Sequence, residues 1–310
     1  MNKSLRKNST QRFSFPRRFY KNRFDESADG FTLVELVVVL ATIALLAVTL
    51  IPALAGARPN SLSFQCMNNL RQWGDAMQTM ANDNNDMLPR DGTDNSGQYS
   101  VDTGSFPSGN PATWPGTPMD AYAWFNVAPP AMGEQTLSYY YQLPGANSQK
   151  KYPFPGTGKG RIWHCPAAKA APGDMFQAGG AYGFFSYVMN IDLKLNSNVA
   201  NGILGNSAVY PNMPKIGALR NPSATVLFTD AVFSPTWEPS SSAPSRNGIY
   251  PCNRWSVFAK RHNNGGTLLF TDGHSAIFKW DYVFNQNPTP SSRNEKLNPD
   301  IIWNPNRDIP

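Results

Sequence analysis

Residues 31–55, FTLVELVVVLATIALLAVTLIPALA, form a run of 25 residues in which only Thr32, Glu35, Thr42 and Thr49 are polar. A helix rises about 1.5 Å per residue, so this run would reach roughly 37 Å, longer than a hydrocarbon core of about 30 Å. It is apolar on every side, whereas a helix lying on a soluble core carries a single apolar stripe. A secretory signal peptide would have a shorter apolar region, about 7 to 15 residues, closed by a small-residue cleavage site. Here the run passes straight into an amphipathic segment. The sequence therefore predicts a single transmembrane helix over about 31–55.

Charge sets its orientation. The formal net charge is +6, and residues 1–30 hold +5 of it through Lys3, Arg6, Lys7, Arg12, Arg17, Arg18, Lys21 and Arg23 against Asp25, Glu26 and Asp29. The rest of the chain is close to neutral, which excludes a broad basic face for nucleic acid. A Lys/Arg-rich flank stays cytoplasmic, so the long remainder is expected outside the cytoplasm. In that oxidising space Cys66, Cys165 and Cys252 allow one disulfide with one thiol left over, and the sequence does not choose the pair.

Glu35 is the anomaly of the run. A charge at the centre of a membrane helix costs about 2.5–3.5 kcal/mol on insertion scales, less near an interface, and such a residue needs a partner. The stretch GFTLVELVVVLATIALL closely resembles the cleavage and methylation segment of type IV prepilins and type II secretion pseudopilins. Those proteins have a basic leader ending in Gly, then Phe, with an acid as the fifth mature residue. The resemblance implies cleavage between Gly30 and Phe31 by a prepilin peptidase, N-methylation of Phe31, and assembly with other pseudopilins into a helical filament. Glu35 would be the fifth residue, pairing with the N-terminal amine of a neighbouring subunit. An ammonium and a carboxylate buried together offset part of each other's desolvation. Pro52 stands where the family commonly places a kink-forming proline, which removes a helix hydrogen bond and bends the axis. The 30-residue leader is long for a pilin.

Past Ala55 the pattern becomes one-sided. Leu62, Cys66, Leu70, Trp73, Met77 and Met80 recur at spacings of 4, 4, 3, 4 and 3, one helical stripe that reads as core. The spacing predicts one helix from Phe31 to near Ala81, with NDNNDMLP over 82–89 as its stop, because Asn and Asp compete for the backbone and Pro89 disfavours helix at Leu88. Asp83 and Asp86 resemble part of a calcium loop but lack the Gly and terminal Glu of an EF-hand. Calcium is the one cofactor this reading leaves open.

Residues 87–160 hold ten prolines and ten glycines in 74 positions, too many for long regular elements. Eleven aromatics in the same stretch, including Trp114, Trp124 and Tyr139 to Tyr141, argue for an insertion packed over the head rather than a disordered tail. Strand-like segments follow at RIWHC (161), GFFSYVMN (183), ATVLFTD (224), WSVFA (255), TLLFT (267) and HSAIFKW (274). Asp272-Gly273 signals a two-residue hairpin turn that would set Thr271 opposite His274 and Leu268 opposite Ile277. An antiparallel sheet is expected.

A second resemblance lies here. RHNNGGTLLFTDGHSAIF matches a C-terminal pattern of His, nine residues, Asp-Gly seen in a large group of pseudopilin-like proteins, with His262, Asp272 and Gly273 in its positions. CMNNLRQWGDAMQTMANDNNDMLP, HCPAAKA and SYVMN have counterparts in the same group. The likeness covers the chain in pieces from residue 30 to about 280 and leaves out 90–160 and the tail after 281.

Catalytic signals are weak. The only histidines are His164, His262 and His274; Cys165 sits beside the first, but no close ligand pair such as CxxC or HExxH supports zinc. His262 is expected to hydrogen-bond the hairpin or a loop backbone. A hydrolase pairing His262 or His274 with Asp230 or Asp272 lacks a GxSxG nucleophile or a phosphate loop. The reading is a non-enzymatic α+β, pilin-like chain. It comprises a leader at 1–30, a long helix at 31–86, and an extracytoplasmic head at 87–310 with an antiparallel sheet and a Pro/Gly/aromatic insertion. The implied setting is a bacterial inner membrane and a type II secretion-like or type IV pilus-like filament. The alternative is a membrane- or surface-anchored head that binds glycans or other polymers.

Overall fold

The computed structural model describes residues 31–94, 97–99, 115–142, 162–169, 185–194, 213–233, 238, 250–284 and 297–305, with side chains at 49–61 and 141 left aside. The leader, Gly30 and Trp114 lie outside the described residues, as does much of the 87–160 insertion. The chain forms two compact units, 1–52 and 53–310. Helix α1 is assigned over Leu33–Asp83, 51 residues, and Pro52 lies within it. Among the described residues no helix is long and apolar enough to cross a membrane. Of the span expected over 31–55, described side chains end at Val48, short of the roughly 20 residues a crossing needs.

In the second unit α1 uses the predicted stripe. Cys66, Leu70, Trp73 and Met77 are fully buried, with Ala76 and Ala81 beside them, while Gln65, Asn68, Arg71, Gln72 and Asp75 face solvent. The helix ends at Asp83, and Asn85 and Asp86 take left-handed backbone angles, φ 53° and 67°. Asn and Asp tolerate that region better than other non-glycine residues, so the Asn/Asp run ends the helix as expected.

The buried face lies on a five-stranded sheet of order β3-β1-β2-β4-β5, made of β1 (Tyr187–Asn190), β2 (Val226–Asp230), β3 (Cys252–Asn253), β4 (Gly265–Phe270) and β5 (Ser275–Lys279). The sheet is mixed rather than antiparallel, because the two-residue β3 runs parallel to β1 while the other pairs are antiparallel. RIWHC makes turns, not a strand: Trp163 drops into the core and the Ile162 carbonyl accepts the Trp73 indole N–H at 2.9 Å. In WSVFA, Trp255–Val257 is a 3-10 turn and only Phe258 bridges Ala231.

The β4–β5 hairpin forms, one residue out of the expected register. Leu268 faces Ala276 and Thr267 faces Ile277. Phe270 N–H donates to the His274 carbonyl and Gly273 N–H to the Phe270 carbonyl, both at 2.9 Å, so the loop has three residues, Thr271 to Gly273. Gly273 alone turns left-handed, φ 93°, as in a type I turn closed by a glycine bulge. Side chains alternate along β4, with Leu269 packing on the α1 side and Leu268 and Phe270 on the other.

Both faces of the sheet are covered. On the α1 side Trp73 meets Trp124 at 5.0 Å, Trp163 at 5.1 Å and Phe228 at 6.3 Å between ring centroids. Trp124 and Phe125, from α2 (Trp124–Val127), are buried, so this part of the insertion packs; α3 (Leu137–Gln142) follows it. On the far side Phe258, Phe270 and Trp280 join Phe284, Ile301 and Trp303, with Trp280 opening the short helix α4 (Trp280–Val283). The pairing of β2 with β4 shifts between Val226 and Phe228. A bulge sets two successive side chains on one side, which fits Val226 facing away from α1 while Leu227 and Phe228 both pack under it.

Candidate functional site

At the start of α1, Thr32 and Glu35 form a reciprocal cap. The Glu35 carboxylate accepts from Thr32 N–H at 2.9 Å and from its hydroxyl at 2.8 Å, and Glu35 N–H donates back to Thr32 Oγ1 at 3.3 Å. This is the T-x-x-E capping box, legible in the sequence but overlooked beside the membrane argument. Around it the side chains stand open: Phe31 is 76% exposed, Leu33 78%, Val34 68% and Val48 69%.

The His, nine residues, Asp-Gly pattern divides between two places. Asp272 stays at the hairpin tip, accepting from His274 N–H at 3.1 Å and meeting His274 Nδ1 at 2.6 Å. Gln78 of α1 donates to the Thr271 carbonyl, and a Cβ on Gly74 would stand 2.7 Å from Leu269 Cδ1 and 3.1 Å from the Gly273 carbonyl. The pattern's Asp-Gly thus builds the loop against which α1 lies. A groove of about 910 Å³ runs between them, lined by Phe64, Asn68, Arg71, Asp75, Asp272 and His274 among others.

His262 goes elsewhere. Its N–H donates to the Gly265 carbonyl at 2.8 Å, but its ring does not bond the hairpin. Instead it enters a buried cluster with Cys66 of α1, Cys165 of the 162–169 turns and Asp230 at the end of β2. One ligand atom from each of the four lies within 4.8 Å of all the others. His262 Nε2 stands 3.2 Å from Cys165 Sγ and 3.3 Å from Asp230 Oδ2, and Cys66 Sγ is 3.6 Å from that same oxygen. The Tyr187 hydroxyl reaches Cys66 Sγ at 3.3 Å and the Thr267 hydroxyl at 3.6 Å. Ser63 Oγ holds His262 Nδ1 at 3.2 Å. Arg261 binds the other Asp230 oxygen and Glu238, the latter at 2.9 Å.

Burial opposes every charge here, yet the partners prevail for three groups. Burial raises the Cys165 thiol, but the Cys66 S–H, the Arg261 guanidinium and His262 bring it down to about 6. Desolvation lowers His262, but its bonds to Asp230 and Cys165 lift it to about 9. Asp230 is depressed despite burial, by Arg261 first and then His262. Cys66 goes the other way: burial pushes it well up, and the Cys165 sulfur and Asp230 add to the rise. Ser63, His262 and Asp230 line up as hydroxyl, imidazole and carboxylate.

The three cysteines are free, so the disulfide that the sequence allows is not formed here: Cys252 is buried in β3, beside Asp91 and Lys194 rather than the other two. His164 and Cys165 do not act as a pair; the His164 ring meets Phe233 at 5.0 Å. Asp83 and Asp86 belong to no candidate metal group among the described residues. Asp86 accepts Gly217 N–H at 2.7 Å, fixing the chain after the helix. Sequence reasoning missed the Cys66–Cys165–Asp230–His262 group because its members come from four separated segments. No family model, curated protein or solved structure matches the chain.

Proposed function

We propose that the chain is a pseudopilin-like structural subunit, cut after Gly30, anchored by its apolar helix in the inner membrane and assembled with other pseudopilins into a type II secretion-like or type IV pilus-like filament. The observation that carries this reading is the open apolar surface from Phe31 to Val48, interrupted only by threonines and Glu35. Soluble monomers rarely leave contiguous apolar patches above a few hundred Å² uncovered. Lipid covers such a helix before assembly, and neighbouring helices cover it afterwards. Glu35 favours the filament, because a new ammonium terminus at Phe31 offers a carboxylate on an adjacent subunit the partner it lacks in lipid.

Mass spectrometry of the mature protein tests the processing step: an N-methylated Phe31 terminus is expected, and a functional protein that keeps residues 1–30 would refute it. The groove beside Phe64, itself 64% exposed, favours a second reading in which the same anchor displays a head for glycans. Glycan-array binding by the full chain, undisturbed by loss of filament assembly, would favour that alternative.

A further inference from the structure

We infer that Cys66, Cys165, Asp230 and His262 form a closed four-coordinate site for a zinc-like divalent cation that ties α1 to the sheet. The spacing is the first argument. Zinc bonds of about 2.0–2.3 Å in a regular tetrahedron require ligand atoms about 3.3–3.8 Å apart. The measured separations are 3.2 Å for His262 to Cys165, 3.3 Å for His262 to Asp230 and 3.6 Å for Cys66 to Asp230. All four ligand atoms lie within 4.8 Å of one another, so a cation at their centre would draw them inward.

The supporting bonds are the second argument. Ligand histidines in metal sites have their other ring nitrogen held, and Ser63 holds His262 Nδ1 so that Nε2 faces the cluster. Arg261 occupies one oxygen of Asp230 and leaves the other turned inward. Tyr187 and Thr267 reach the Cys66 sulfur, and Cys165 N–H donates to Ser186 Oγ at 2.7 Å. Charge is the third. Two thiolates and a carboxylate would face a dication and the Arg261 guanidinium, opposite charges in direct contact within a buried site. Two sulfurs, one nitrogen and one oxygen suit zinc and disfavour calcium or magnesium, which take oxygen ligands. All four ligands are side chains at most 3% exposed, so no position stays open for substrate and the role is structural.

The test uses the full chain, purified in detergent through a tag that does not bind metal. Elemental analysis is expected to find one zinc per chain retained through dialysis. The zinc-stripped chain given cobalt(II) is expected to show sulfur-to-cobalt charge transfer and the intense visible bands of a tetrahedral ion. His262→Gln and Cys165→Ser are expected to lower zinc content at least tenfold, Ser63→Ala to weaken affinity by roughly tenfold, and Cys252→Ser to leave the metal in place. A folded wild-type chain that binds neither ion overturns the proposal without recourse to variants. So does a peptide map that finds Cys66 and Cys165 joined as a disulfide. Neither result bears on cleavage after Gly30.

Discussion

Two stretches of α1 solve opposite problems with similar amounts of hydrocarbon. From Leu33 to Val48 every side is apolar and every described side chain is exposed. From Leu62 to Asp83 most apolar residues fall on one stripe, whose centre is fully buried against the sheet, and Phe64 stands off it, 64% exposed. A one-sided stripe can be satisfied within the chain, while a helix apolar all round needs lipid or other helices. The lower stretch should therefore govern the stability of the head, and the upper stretch should govern where the chain resides and what it joins.

Trp73→Ala tests the first half of that contrast most severely. Trp73 touches Trp124, Trp163 and Phe228, and its N–H is held by the Ile162 carbonyl. Removing a buried Trp costs about 3–5 kcal/mol, so the thermal midpoint of the head should fall by roughly 10 °C in a chain of this size. Near-ultraviolet circular dichroism of the full chain in detergent would read it. An unchanged midpoint would mean that the stripe does not hold the head together.

Gly74 gives a smaller, sharper test. Replacing an exposed helix glycine with alanine stabilises by about 1 kcal/mol, but Gly74 is buried with the Gly273 carbonyl 3.1 Å from where a Cβ would sit. Gly74→Val should therefore destabilise by about 1–3 kcal/mol through overpacking, and a gain in midpoint would show that the helix can lift off the hairpin freely.

That contact also shows what the sequence could and could not convey. The stripe was legible because a period near 3.6 is local, and the end of α1 was legible from its Asn/Asp run. The hairpin was visible in Asp272-Gly273, but its register turned on Thr271 joining the loop, a choice made by the whole ladder. Strand β3 has two residues and pairs with β1 some sixty positions earlier, so no local pattern announces it. RIWHC looked like a strand because its aromatic and branched residues suit one, yet Trp163 is drawn into the tryptophan cluster instead. The Cys66–Cys165–Asp230–His262 group had no local spacing at all. Its members became neighbours only when α1, β2 and two loops closed around one point.

Glu35 provides the last and most discriminating test of the upper stretch, because it has two jobs that can be separated. In the single chain it caps α1 through Thr32; in the proposed filament it meets a neighbour's terminal amine. Thr32→Ala removes the hydroxyl arm of the cap, at about 1 kcal/mol of local helix stability, and keeps the carboxylate. Glu35→Gln keeps hydrogen-bonding capacity at the cap and removes the charge. If Glu35 assembles the filament, Glu35→Gln should abolish filaments seen by electron microscopy while processed protein accumulates normally, and Thr32→Ala should reduce them only slightly. Equal loss in both variants would reduce Glu35 to a helix cap. Neither change should move the thermal midpoint of the head, since neither residue touches the lower stripe.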